Sequence, residues 1–306
     1  MTSFYLSYEQ REYWETWLSR VSRSFALVTP CFEEPLDAYM SIAYLLCRVA
    51  DNIEDCYQPY EWQQARFAEF KQLLQNPELA PSILANWLHE DWLGLDANQT
   101  RLMQPDDGLM LWQIYTLIPN PSRSIICHWI SVMVEGMEKI LDTQQEPLLL
   151  ERHNIRLLAT ENDCNQYCYY VAGTVGHMGT DLAIAHYQFN PEVATQLLEG
   201  CESCGRALQK TNIIKDFVED LGRGFCYLPD AWIAEADGLP LLLQGAPRSW
   251  MKMVLDRVMS ELNASVTYVT SIPYESPGYR LASLLCLLPA YQTILLAAQQ
   301  HEIVYA

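Results

Sequence analysis

Asp216 and Asp220 stand four residues apart, with Glu219 beside them, in LQKTNIIKDFVED. Asp51 and Asp55 stand at the same spacing, with Glu54 beside them, in RVADNIED. Residues i and i+4 stack on one face of a helix, so each pair presents two carboxylates in one direction. Paired carboxylates are hard oxygen donors, and Mg²⁺ takes one or two of them while leaving room for water and phosphate. Neither pair is alone on its face. Ser41, Tyr44 and Arg48 fall in phase with Asp51 and Asp55, while Gly205, Gln209 and Asn212 fall in phase with Asp216. The first stripe fits an internal Arg48–Asp51 salt bridge as well as a site, and the second fits a solvated face as well as an internal lining. Facing each other across a helical bundle, the two pairs would make an oxygen-rich cation site.

The bulk composition narrows the partners. Lys and Arg number 19 against 38 Asp and Glu, a formal charge of −19, and no basic block interrupts it. Nucleic acid is excluded as a partner, because phosphate-backbone binding needs a basic footprint. Anionic lipid headgroups are disfavoured for the same reason, and an anionic substrate requires a mediating cation. Half the residues are apolar, enough for a large core. The ten cysteines are scattered, with no secretory signal at the N-terminus, so a reducing, cytoplasmic setting is expected. Cys201 and Cys204 form a CxxC and Cys164 and Cys168 a second close pair. Both read as core thiols within helical pattern, with zinc or redox chemistry as the alternative. No uninterrupted apolar run reaches the roughly 18 residues of a spanning helix. The expectation is a soluble monomer with at most peripheral contact with a membrane.

The elements that must position these residues are helices. Residues 36–56 and 191–221 carry the acidic pairs, and a helix near 161–187 contains YCYYVAGTVGHMG. The pattern predicts further helices at 9–21, 60–75, 82–93, 96–103, 123–142, 249–270 and 279–300. QPDDG at 104–108 and residues 237–248 read as loops, and 148–159 is ambiguous. Strand alternation bounded by hairpin signals is nearly absent, as are nucleotide-binding glycine loops. The fold class is all-α, with residues 1–306 forming a single domain.

SRSF at 22–25, RVADNIED at 48–55, YCYYVAGTVG at 167–176, and LQKTNIIKDFVED with GRGFCYLP at 208–229 together resemble the squalene/phytoene synthase family. LQKTNII and YCYYVAG are more similar to squalene synthases than to phytoene synthases. The resemblance implies an isoprenoid-synthase helical bundle around a central cavity, and head-to-head joining of two farnesyl diphosphates through presqualene diphosphate. It implies Mg²⁺ held by Asp51, Asp55, Asp216 and Asp220, with Asn212 able to join the metal or phosphate shell. By the same resemblance, Tyr167 assists ionisation or proton removal, and Arg48 and Arg23 contact diphosphate or organise the site. Ser22, Tyr44, Gln209 and Lys215 become substrate-binding candidates. Arg223 becomes a lid contact. Ala172, Gly173 and Gly176 would let prenyl chains pass close to the backbone.

Two departures bear on the chemistry. Lys215 stands where related squalene synthases carry arginine, which keeps the charge and loses a bidentate grip on phosphate. The sequence also stops at Ala306, before the basic segment that helps hold NADPH in reducing squalene synthases and before their membrane anchor. NADPH is therefore an open cofactor, and the product is open between squalene, dehydrosqualene and presqualene diphosphate. A phytoene-type synthase using geranylgeranyl diphosphate and a terpene cyclase are the enzymatic alternatives. A non-catalytic helical assembly factor is the alternative outside enzymes, disfavoured by two intact aspartate pairs.

Overall fold

The computed structural model describes residues 4–22, 24–142, 149–152, 155–234 and 248–299, and these are almost entirely helical. They fall into two compact units. The first takes the chain up to Leu141 together with Asp181–Phe189 and Pro277–Ala282. The second takes Asp142–Thr180, Asn190–Ser276 and the chain from Ser283 onward.

In the first unit, α1 (Tyr8–Val21) starts at a capping box in which Ser7 and Gln10 satisfy each other's backbone N–H groups. After the short α2 (Phe25–Val28) comes α3 (Leu36–Asp55), the helix at the centre of this unit. Leu36, Ile42, Leu45, Leu46, Val49 and Ile53 on α3 are all buried. A helix apolar on most sides belongs inside a core, and each such side chain contributes about 1.5–3 kcal/mol on burial. Around it lie α1, α4 (Tyr60–Gln75), α6 (Ala97–Leu102), α7 (Pro105–Leu117) and α8 (Asn120–Leu141), with α5 (Ala80–Trp87) packed on α7. The expected loop at 104–108 is instead the start of α7. Pro105 occupies the first turn, and Asp106 and Asp107 complement the helix dipole there. The same Pro-Asp-Asp-Gly string that marks a turn also marks a helix N-terminus. Glu33, ahead of α3, accepts hydrogen bonds from the Tyr187 hydroxyl and from the Gly278 backbone N–H (3.0 Å). It thereby ties two later returns of the chain to this unit.

The second unit resolves the ambiguous stretch as strands. β1 (Leu149–Arg152) pairs antiparallel with β2 (Ile155–Leu158), Leu149 opposite Leu158. β2 in turn pairs in parallel with β3 (Phe225–Cys226), giving a sheet of order β1-β2-β3. These strands are too short for alternation to register in sequence. The expected helix at 161–187 is α9 (Glu161–Cys168), a π-helical segment at Tyr169–Gly173, and α10 (Thr174–Tyr187). Next comes α11 (Pro191–Gly222), capped by Asn190, whose side chain accepts from the Val193 N–H at 3.0 Å. The short α12 (Asp230–Ala234), α13 (Arg248–Ser271) and α14 (Pro277–Gln299) follow. The loop expected at 237–248 lies, up to residue 247, outside the described residues.

Two findings depart from expectation. Gly176 and Gly205 sit where α10 and the π segment cross α11. A Cβ on Gly176 would meet the Cys201 carbonyl oxygen at 2.4 Å, and one on Gly205 the Ala172 carbonyl oxygen at 2.4 Å. The room opened by these small residues is taken by helix backbone. Second, α14 is long and apolar enough to cross a membrane by length and composition. Pro289, Tyr291 and Gln292 interrupt its apolar run without adding charge, which hid it from a search for an unbroken run.

Candidate active site

In the first unit the predicted stripe on α3 is a bonded chain of side chains. Arg48 Nη1 lies 3.3 Å from Asp51 Oδ2, and its Nη2 donates to the Tyr44 hydroxyl at 3.3 Å. The Tyr44 hydroxyl donates to the Val21 carbonyl at 3.4 Å, and the Tyr44 ring stacks on Phe25 at 4.5 Å. Ser22 Oγ accepts from the Phe25 N–H at 2.9 Å and so sets the entry to α2. The SRSF motif thus braces Tyr44, and Tyr44 braces Arg48. Arg23 lies outside the described residues. Ser41 is spent on the Asp37 carbonyl at 2.7 Å and takes no part.

Charge is crowded here. Burial and the neighbouring Asp55 push the Asp51 carboxyl up to about 6, against the opposing pull of Arg48. Glu54 is driven well above the ordinary carboxylate range, first by burial and then by Asp55 and Asp51. Arg48 Nε is buried with no hydrogen-bond partner. A buried unmade donor is costly unless a ligand completes it.

In the second unit the α11 stripe carries Gln209, Asn212, Asp216 and Asp220 on one side, while Ile213, Ile214 and Phe217 are buried. Lys215 Nζ lies 3.1 Å from Asp216 Oδ2, so the lysine that replaces the expected arginine is bonded to the first aspartate. Arg223 Nη2 lies 3.0 Å from Glu219 Oε1. Tyr167, on the last turn of α9, is buried and stacks on Tyr227 at 4.5 Å.

Sequence reasoning missed a buried knot on the helix that carries Tyr167. Lys210 is 4% exposed and donates to Asn165 Oδ1 at 2.6 Å and to Glu261, tying α9, α11 and α13 together. Nothing in the sequence marked it, because Lys210 stands between Gln209 and Thr211 as a surface lysine would. The cysteines are all free. Burial pushes Cys56 and Cys204 up to about 11 and Cys226 to about 12, which keeps them as inert thiols at neutral pH.

Among the described residues, no group of three or more His, Cys, Asp or Glu side chains converges closely enough to cage a metal. Mg²⁺ bound through one or two carboxylates plus substrate phosphate needs no such cage. Each aspartate pair fits that sparse role. Crowded oxygen donors around Asp51 and an unmade cationic donor at Arg48 suit a cation and an oxyanion arriving together.

Residues 18–301 match the family described as squalene/phytoene synthase. The squalene synthase of Eremothecium gossypii is 30% identical over 226 residues, covering 72% of this chain and 47% of that protein. A bifunctional lycopene cyclase/phytoene synthase of Arthroderma gypseum is 36% identical over 251 residues, covering 80% of this chain and 39% of that protein. The chain thus spans less than half the length of these curated relatives. Among solved structures, TcSQS in complex with the ligand E5700 superposes with a TM-score of 0.79 at 23% identity, covering 97% of this chain and 81% of that one. A dehydrosqualene synthase in complex with a ligand gives 0.66 at 19% identity, covering 96% and 87%. At those identities the superpositions establish the fold, and the sequence match over nearly the whole length establishes the lineage: the chain belongs to the squalene/phytoene synthase family.

Proposed function

We propose that this chain is a Mg²⁺-dependent prenyltransferase, acting as a single domain, that joins two farnesyl diphosphates head to head through presqualene diphosphate to squalene or dehydrosqualene. The observation that carries the reading is a doubled chemical unit. An aspartate pair one turn apart, its first member bonded to a cation, occurs on α3 as Arg48 with Asp51 and on α11 as Lys215 with Asp216. Two such units suit a reaction with two diphosphate leaving groups.

In the proposed reaction the C–O bond of one substrate breaks and its electron pair leaves with diphosphate, giving an allylic cation. A double bond of the second substrate supplies the pair for the new C–C bond, and closure of the cyclopropane releases one proton. Asp51, Asp55, Asp216, Asp220 and Asn212 are the residues proposed to hold Mg²⁺, which supplies Lewis-acid stabilisation of the departing diphosphate. Arg48, braced by Tyr44, offers Nε to a diphosphate oxygen. Lys215, Arg223, Gln209, Ser22 and Arg23 complete the proposed diphosphate contacts. Tyr167 assists ionisation or receives the released proton. The C–O bond of presqualene diphosphate then breaks, its electron pair leaving with the second diphosphate, and the rearranged cation gives dehydrosqualene by losing a proton or squalene by accepting a hydride, for which NADPH is the proposed donor. A monomer in the cytoplasm, with α14 as the segment available for membrane association, completes the reading.

Purified protein with farnesyl diphosphate and Mg²⁺ is expected to release diphosphate and yield a C30 product identified by mass, with and without NADPH. Asp51→Asn and Asp216→Asn are each expected to abolish release. No C30 product under either condition overturns the substrate assignment. The 36% identity to a bifunctional lycopene cyclase/phytoene synthase supports a second reading, a phytoene-type synthase. Geranylgeranyl diphosphate in the same assay separates the two by product mass, and an arrested presqualene diphosphate or a cyclised product is read from the same spectra.

A further inference from the structure

Tyr227 lies in GRGFCYLP, where sequence alone singled out only Arg223. The structure makes it part of a ladder. Gly224 has φ +84°, a left-handed conformation open to glycine, and with it the chain turns out of α11 into β3. There Arg156 N–H donates to the Gly224 carbonyl at 2.8 Å, and Arg156 pairs opposite Phe225. The rings of Phe225 and Tyr227 meet on one side of Cys226, which is itself buried. The Arg156 guanidinium lies over Phe225 at 5.3 Å. Phe225 stacks on Tyr227 at 5.9 Å and 9° between planes, and Tyr227 stacks on Tyr167 at 4.5 Å and 13°.

Tyr167 needs such a support. It sits one residue short of the end of α9, and the π-helical segment starts two residues on, at Tyr169. Regular α-helix therefore ends next to it, and π segments recur at functional sites. The Lys210–Asn165 bond ties α9 to α11, and the buried Tyr167 ring lies face to face with Tyr227. A parallel ring at stacking distance sets the plane of its neighbour.

We propose that Tyr227 is the positioning residue for Tyr167: its ring fixes the plane of the Tyr167 ring, and so the direction of the phenolic O–H, while Phe225 and Arg156 anchor Tyr227 from behind. The inference rests on the proposed role of Tyr167 in prenyl joining. It assigns the GRGFCYLP segment a part in aiming that tyrosine, separate from any lid contact by Arg223.

The test reads the ring and the turnover separately. 3-Fluorotyrosine is installed at position 167 and its ¹⁹F shift is recorded in otherwise unaltered protein, in Tyr227→Leu and in Tyr227→Phe. The Leu variant is expected to move the resonance, and the Phe variant to return it towards its original place. With farnesyl diphosphate and Mg²⁺, Tyr227→Leu is expected to lower kcat about ten-fold, roughly the worth of one aromatic pair, with KM little changed. Tyr227→Phe is expected to recover most of that loss. A Leu variant with unaltered shift and kcat overturns the proposal. So does a Phe variant as impaired as Leu, because the hydroxyl and not the ring would then matter. If Tyr227→Leu does not fold, Phe225→Leu removes the next rung, and an unmoved ¹⁹F resonance there overturns the ladder. Unaltered protein that releases no diphosphate refutes the prenyl-joining reading instead, and the ¹⁹F shifts still decide whether the stack holds the ring.

Discussion

Replacing Lys210 by methionine tests whether its buried knot with Asn165 and Glu261 holds three helices together. The substitution leaves Glu261 without its cation, and Glu261 Oε2 already has no hydrogen-bond partner. Asn165 Oδ1 loses its donor as well. Removing one partner of a fully buried ion pair costs about 3–5 kcal/mol. The Glu261 side chain is 25% exposed, so water recovers part of that and the expected loss is about 2–3 kcal/mol. For 306 residues the unfolding entropy is about 0.6 kcal/mol per kelvin, which turns that loss into a fall in Tm of about 3–5 °C. The double variant Lys210→Met/Glu261→Leu removes both charges and is expected to return to within about 1 kcal/mol of the unaltered protein. Urea unfolding of the four species of the cycle gives the coupling directly, expected at about 2 kcal/mol or more. If Lys210→Met costs under about 0.5 kcal/mol, or the two losses simply add, the pair does not act as the tie described.

Other outcomes follow from the same geometry. Gly176→Ala drives a methyl to 2.4 Å from the Cys201 carbonyl oxygen, and a loss of about 1–3 kcal/mol is expected in thermal unfolding. Mg²⁺ with inorganic pyrophosphate at a hundred times its Kd is expected to stabilise the protein by about 2.7 kcal/mol, an effect that EDTA reverses and Asp216→Asn largely removes. For Glu33, burial alone would raise the carboxyl, but hydrogen bonds from Tyr187 and Gly278, with His186 nearby, hold it below its ordinary value of 4.5. A depressed carboxyl contributes stability above that value and loses it as pH falls through the folded pKa. Glu33→Gln should therefore lower Tm at pH 7, and the gap to the unaltered protein should close on acidification below pH 4.5; a gap independent of pH refutes the assignment.

Helices with strong apolar periodicity were legible from sequence. The helix predicted at 36–56 is α3 (Leu36–Asp55), and both acidic pairs lie where period 3.6 puts them. What sequence could not give is set by partners distant along the chain. Tyr227 reads as one aromatic in a coil until β3 finds β2, some seventy residues earlier, and its ring stacks on Phe225. Lys210 reads as one cation among many until Asn165 and Glu261 close on it. Ala172, Gly173 and Gly176 announce missing volume, but not whether a ligand or a second helix fills it. The Pro105 start of α7 was hidden because proline, aspartate and glycine are common to turns and to helix N-termini.

The crossing at Gly176 and Gly205 works as a gauge block. One helix leading into it carries Tyr167 and the other carries Asp216, and nothing but main-chain atoms separates the two at the point of contact. Their spacing is therefore set by hydrogen atoms standing in for side chains, a standard that thermal motion of rotamers cannot blur. Mutational drift has room on the outer faces of both helices and almost none at this point, where even one added carbon resets the distance.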